Sequence, residues 1–179
     1  KYILIVFLGS ILLAISSKVK IPFYPVPMTM QTFVVLFLGI SFGYKIGLAT
    51  VSLYLIEGIV GLPVFSNSPE KGVGIIYFTG PTMGYLIGFL PAVFLTGYLK
   101  LDDWTKKENR NLEFFFINLS KLLISVSVIY LLGLLWLSNL IGFEKAILFG
   151  FKPFWIAELF KILILAFLTP LVLKLRKFI

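Results

Sequence analysis

The chain has 179 residues, of which 59% are hydrophobic, 17% aromatic and only 13% charged, with a mean hydropathy of +1.03. A soluble domain carries about 45–50% apolar and about 25% charged residues, so this composition excludes a water-soluble globule, which could neither hide so much apolar surface nor coat itself with charge. At about 20 residues per spanning helix plus connections, residues 1–179 make one domain of about six spans.

Sixteen Lys+Arg outnumber eight Asp+Glu, leaving a formal charge of +8. The charges are scattered between apolar segments rather than gathered on a polar domain. That argues for membrane orientation and contact with anionic headgroups, and against a nucleic-acid partner. There is no His and no Cys, which removes disulfides, Cys/His zinc sites, thiol nucleophiles and His general bases. No enzymatic activity, metal or cofactor is expected.

Six apolar segments follow in chain order. The first runs from Tyr2 to Ser17. The sequence opens at Lys1 rather than at a methionine, so a few residues are expected to precede it. The run ends Ser16-Ser17-Lys18 instead of in a small-x-small cleavage site, and reads as a span rather than a removed signal peptide. Gly9, Ser10, Ala14 and Ser17 have small-xxx-small spacing, with Ser10/Ala14 the cleanest pair, and let a helix of this chain or of a partner approach closely. Pro22, Pro25 and Pro27 then enforce an extended loop.

The second segment, Thr29 to Phe42, is short for a span. The third runs from Lys45 to Ile59 and stops at Gly61-Leu62-Pro63. The connection Gly61–Gly80 holds Phe65, Ile75, Ile76, Tyr77 and Phe78 and is expected to pack against the protein. The fourth, fifth and sixth segments are Pro81–Leu99, Phe114–Leu137 and Pro153–Leu173, with Pro81 and Pro153 suited to a first helical turn. The expectation is an all-α integral membrane protein of six transmembrane helices.

An even number of spans puts both termini on one side. Lys1, Lys45, Lys100, Lys106, Lys107, Arg110, Lys174, Arg176 and Lys177 then share a face, which the excess of cations marks as cytoplasmic. Lys18, Lys20, Lys71, Lys145 and Lys152 share the other, while Lys121 and Lys161 fall within segments. The three connections rich in aromatic residues and proline or glycine thus lie together outside, as if covering a cavity.

Ionisable residues inside apolar runs are functional candidates by default. Glu158 and Lys161 are three apart on one helical face, roughly 7 and 12 Å below Pro153. An ion pair at that depth suits a ligand with matching dipoles, such as a ring bearing both N–H and C=O groups. The alternative is that Lys161 snorkels and Glu158 neutralises it. Glu57 reads as an interface position and Lys121 as a snorkelling lysine. In Pro25-Val26-Pro27-Met28-Thr29-Met30-Gln31-Thr32, Thr29 can cap a helix, while Gln31 and Thr32 put hydrogen-bonding groups in its first turn. In Gly80-Pro81-Thr82-Met83-Gly84-Tyr85, glycines permit close approach and Tyr85 offers a flat face and a hydroxyl. Gly80, Gly84 and Gly88 fit an ordinary helix-packing face equally well.

Taken in order, these clusters resemble the BioY family of biotin transporters, the substrate-binding (S) components of energy-coupling factor (ECF) transporters. The resemblance covers Ile21-Pro22 through Gln31-Thr32, Tyr54-Leu55, Gly58 through Gly61-Leu62-Pro63-Val64-Phe65, Gly80-Pro81-Thr82 with Gly84-Tyr85-Leu86 and Gly88-Phe89, Lys152-Pro153-Phe154, and the acid-x-x-Lys of the last helix. Two positions depart from the family pattern. Met83 stands where a glycine is usual, and Ile156-Ala157-Glu158 replaces Pro-Gly-Asp, lengthening the acidic arm by one methylene.

The resemblance implies a six-helix, multi-pass S component of a prokaryotic plasma membrane, capturing biotin in an outward-facing pocket. ATP hydrolysis would belong to partner ATPase subunits, in keeping with the lack of a Gly-x-x-x-x-Gly-Lys-[Ser/Thr] motif. Glu158 is then expected to accept hydrogen bonds from the ureido N–H groups, and Lys161 to donate to the ureido oxygen or a bridging network. Thr82, Tyr85 and Gln31 would supply polar and stacking contacts beneath a Pro22–Met28 cover, with Lys18, Lys20 and Lys71 as candidates for the carboxylate. Ser10 and Ala14 would face a transmembrane coupling subunit. The rival readings are a solitary proton- or ion-coupled importer with Glu158 titrating, and an S component for another vitamin.

Overall fold

A backbone surrounded by this much apolar side chain must satisfy its own N–H and C=O groups, and helices do so within one segment. The computed structural model describes residues 1–105 and 112–176. Its helices are α1 (Tyr2–Lys18), α2 (Gln31–Ile59), a 3-10 helix (Gly74–Thr79), α3 (Met83–Tyr98), α4 (Leu112–Ile141), α5 (Phe143–Gly150) and α6 (Trp155–Leu175). Two short strands, β1 (Lys20–Ile21) and β2 (Met28–Thr29), pair antiparallel, with Lys20 opposite Thr29 and Ile21 opposite Met28.

The second and third apolar segments are the two arms of α2. Between them Gly43 has φ 76° and ψ 174°, a conformation that interrupts the helix and that glycine adopts without penalty. The arms fold back on each other. A Cβ placed on Gly47 would lie 3.7 Å from the Cα of Gly39, and the Gln31 side-chain amide reaches the Tyr54 hydroxyl at 2.7 Å. Along a straight helix those last two residues would be about 35 Å apart. The short second segment is therefore one limb of a helical hairpin. By length and composition, α2, α4 and α6 can cross a membrane, and α1 and α3 are shorter apolar helices.

Close backbone approaches position α3 between this hairpin and α4. At its far end a Cβ on Gly97 would run into the backbone of Gly43 and Tyr44. On its other face, a Cβ on Gly88 would come within 2.8 Å of the Ile129 backbone, and one on Gly84 would meet the Leu132 carbonyl. For Gly84 and Gly88, close helix packing is what the geometry shows. Helix α6 packs on both α2 and α4. The outside stays apolar, with Ile3 87% and Phe160 66% exposed, as suits lipid rather than water.

Three local differences from the sequence reading have plain causes. The Asn139–Lys152 connection contains α5, because Ala146 and Gly150 bury a face of that segment. Pro81 and Pro153 lie two residues ahead of α3 and α6, in the turns that lead into them. Lys121 does reach toward its helix end, but into a defined site. It donates to the Lys100 carbonyl at 2.9 Å and pairs with Asp102 at 3.0 Å. Lys106, Lys107, Arg110 and Lys177 lie outside the described residues.

Replacing Gly97 with Val should lower the melting temperature in detergent by about 5 °C or more, since the added atoms have only backbone to displace. A melting temperature equal to wild type would show that the α2 turn yields to α3.

Candidate functional site

The first turns of α6 carry Glu158 and Lys161, only 6% and 8% exposed. Their ion pair closes at 2.6 Å between Lys161 Nζ and Glu158 Oε1. Lys161 also donates to the Thr29 carbonyl at 2.6 Å and to Thr32 Oγ1 at 3.1 Å, which uses all three of its protons. Thr32 in turn donates to Glu158 Oε1 at 3.0 Å. Lys161 is thus saturated, and its work is to fix Glu158 and the start of α2. The second carboxylate oxygen, Glu158 Oε2, is buried and makes no hydrogen bond among the described residues; the Tyr130 side chain is a neighbour of the carboxylate.

Glu158 borders a cavity of about 540 Å³ that is partly open to solvent, together with Thr82, Tyr85, Gln31, Tyr77 and Tyr130. The structure therefore brings Glu158, Thr82, Tyr85 and Gln31 together from three helices. Lys161 stands behind Glu158.

The polar groups are not equally free. Gln31 donates to Tyr54, whose hydroxyl passes its own proton to the Val64 carbonyl at 3.1 Å. The Tyr85 hydroxyl donates to the Gly150 carbonyl at 3.0 Å, leaving the ring as cavity wall, edge-on to Tyr130 at 5.8 Å. The Thr82 hydroxyl makes no hydrogen bond among the described residues. Trp136 donates to the Gly80 carbonyl at 2.9 Å and so anchors the Gly-Pro-Thr turn. Met83 lies outside the cavity, in a groove with Leu132 and Trp136.

Sequence reasoning passed over Tyr130 and named Phe89 and Phe154 only as part of the family resemblance, without a site role; all three line the cavity. Tyr130 carried a usable signal, a phenol in the middle of an otherwise aliphatic stretch of α4.

Two stretches roof the cavity. The loop between β1 and β2 supplies Val26 and Pro27, and the Gly61–Gly80 connection buries Phe65 and Tyr77 as expected, while Ile75 and Ile76 stay exposed. Lys18 donates to the carbonyls of Phe65 and Ser68 at 2.6 and 2.8 Å. Lys20 donates to the Ser66 carbonyl and Asn67 Oδ1 at 2.6 and 2.9 Å. Both are occupied in holding the roof. Lys71 instead lies 4.9 Å over the Tyr24 ring and borders a second cavity of about 420 Å³ with Asn67, Tyr77 and Thr82. Tyr77 and Thr82 belong to both cavities.

Ser10 is fully buried, and its one hydroxyl proton is shared between two acceptors, the Phe7 carbonyl and Glu57 Oε1, each at 2.9 Å. A Cβ on Gly9 would come within 3.3 Å of Leu38. Ala14 is partly buried against the core. This face of α1 packs on the chain's own α2, and Glu57, read as an interface residue, is half-buried as Ser10's acceptor.

The family model for the BioY family matches residues 1–178. The chain belongs to the BioY family. "Biotin transporter BioY" of Thermotoga maritima is 35% identical over 167 residues, covering 93% of this chain and 90% of that one. "Probable biotin transporter BioY" of Pyrococcus horikoshii is 33% identical over 150 residues, 84% of this chain and 82% of that one. A crystal structure at 2.1 Å of the S-component for biotin from an ECF-type ABC transporter superposes with a TM-score of 0.78 at 25% identity, covering 99% of this chain and 91% of that one. The all-helical fold of this BioY-family chain is thus that of an ECF S component, and the family is one of transport proteins rather than enzymes.

Lys161→Ala in this BioY-family chain should cost about 3–5 kcal/mol of stability, because it strands a buried carboxylate. Replacing both Glu158 and Lys161 with Leu should recover most of that loss. Thermal unfolding in detergent checks both. A single variant as stable as wild type would contradict the ion pair.

Proposed function

We propose that this chain captures biotin from outside the cell and delivers it across a prokaryotic plasma membrane. The observation that carries the reading is Glu158 Oε2, a buried acceptor without a hydrogen bond among the described residues, on a side chain that borders the cavity. Leaving such an oxygen unsatisfied is costly. A ureido ring supplies an N–H at hydrogen-bond distance with apolar carbons around it, and the printed names of the relatives supply that substrate class. Glu158 then accepts from the ureido group, Lys161 and Thr32 hold it in place, and the Thr82 hydroxyl is available to a second polar atom of the ligand. Tyr85 and Tyr130 form the walls.

The valeryl arm extends past Tyr77 and Thr82 into the second cavity, where Lys71 receives the carboxylate. Lys18 and Lys20 have their protons committed to the roof, which leaves Lys71 as the available cation there. Six segments cross the bilayer in this reading: α1, the two arms of α2, α3, α4 and α6. Both termini are cytoplasmic, and the cavity opens outward. The chain contains no nucleotide-binding motif, so a coupling subunit and ATPase subunits of an ECF module supply the energy.

Calorimetry in detergent against a panel of biotin, thiamine and riboflavin tests the substrate, with heat expected for biotin alone. Glu158→Leu should weaken biotin by well over tenfold, since a buried polar ligand group then loses its acceptor. Undiminished affinity would refute the site. Lys71→Gln should weaken biotin by about tenfold while leaving biotin methyl ester unchanged, a difference of about 1.4 kcal/mol. Equal losses for acid and ester would move the carboxylate elsewhere.

A further inference from the structure

At the end of the molecule away from the ligand cavity, a different set of side chains surrounds a cavity of about 1070 Å³. It is lined by Lys45 beside the α2 turn, Lys100 after α3 and Arg176 at the end of α6, with Tyr2, Tyr44 and an apolar wall that includes Val6 and Ile46. Glu158 and Arg176 are 18 residues apart on and just past α6, about 27 Å along its axis. The two cavities therefore share nothing.

Among the described residues, none that lines it is acidic. The side chains of Lys45, Lys100 and Arg176 make no hydrogen bond or ion pair among the described residues. The nearby acid Asp102 is already paired with Lys121 at 3.0 Å, and Asp103 accepts from the Thr105 hydroxyl at 2.7 Å.

Nor is the arrangement loose. A Cβ on Gly43 would lie 2.9 Å from a guanidinium nitrogen of Arg176, so Arg176 is seated on the bare backbone of the turn. Lys100 adopts φ 44°, a left-handed conformation unusual for a residue with a side chain. Three cations around one space, with no counter-charge among the described residues, repel one another and favour the entry of an anion. Cations, tyrosines and apolar side chains line one space, the combination found at a membrane–water interface.

We propose that this cavity is a binding site for the phosphate group of an anionic phospholipid, with the headgroup among Lys45, Lys100 and Arg176 and the acyl chains along Val6 and Ile46. The phosphate chemistry alone would also admit inorganic phosphate. The apolar wall favours the lipid, because a free ion gains nothing from it. This inference stands independently of the biotin reading.

Native mass spectrometry of the full chain, titrated with phosphatidylglycerol or with phosphatidylcholine, measures lipid retention directly. Wild type should retain one phosphatidylglycerol with about thirtyfold preference or more over phosphatidylcholine, as expected for two or three cations near a headgroup at about 1 kcal/mol each. Lys45→Gln and Arg176→Gln should each reduce that preference about fivefold. Lys174→Gln removes an equal charge from the same end but does not line the cavity, and should leave the preference unchanged. The melting temperature of each variant in detergent reports that it is folded.

Equal retention of the two lipids by wild type would overturn the proposal, as would an equal effect of all three substitutions. Thermal shift with inorganic phosphate is the remaining arm. No stabilisation at about 10 mM supports the lipid, whereas phosphate stabilising as much as phosphatidylglycerol, a linkage effect read as a shift in melting temperature, would overturn it.

Discussion

A lysine ammonium placed inside an apolar bundle needs an acceptor for every proton it carries, and meeting that need organises one whole end of this protein. Lys161 finds Glu158 on its own helix and Thr32 on α2, but the third acceptor is the backbone carbonyl of Thr29. That carbonyl belongs to β2, ahead of α2 and outside its helical ladder, and Pro22, Pro25 and Pro27 keep the approach to α2 extended. The ribbon of β1 and β2 and the start of α2 are drawn to α6 by the same contact. What remains is one buried carboxylate oxygen without a hydrogen bond among the described residues, its partner oxygen fully engaged, on a side chain that borders the cavity.

Much of this was legible in the sequence, for identifiable reasons. Hydropathy located all six apolar segments, because exclusion of charge is enforced residue by residue. The Glu158–Lys161 pair stood out because charges are rare in such segments and three-residue spacing has one geometric meaning on a helix. The Gly84 and Gly88 face could be read as helix packing, though not assigned to α4, since spacing names no neighbour.

Other features left no trace that a single sequence can show. Nothing in the run from Thr29 to Ile59 says that Gly43 reverses the chain, as opposed to bending it slightly. Phe89 and Phe154 line the cavity, yet an aromatic residue in an apolar span looks the same whether it faces a ligand, a helix or lipid. Lys18 and Lys20 looked like free cations because their acceptors are mostly backbone carbonyls, which every residue possesses. Ser10 met a partner inside the chain, Glu57, from 47 positions away.

The lysine contacts over the cavity also have a mechanical meaning. Lys20 belongs to β1, and its ammonium is tied to Ser66 and Asn67 of the other roofing stretch, while Lys18, at the end of α1, holds Phe65 and Ser68. The two covering stretches are thereby stitched into a single plate with α1 along its edge. Neither can be displaced alone without breaking charge-assisted bonds of 2.6 to 2.9 Å. A rotation of α1 is transmitted to the whole plate at once, so a helix whose exposed face meets the surroundings becomes a lever on a space it does not line.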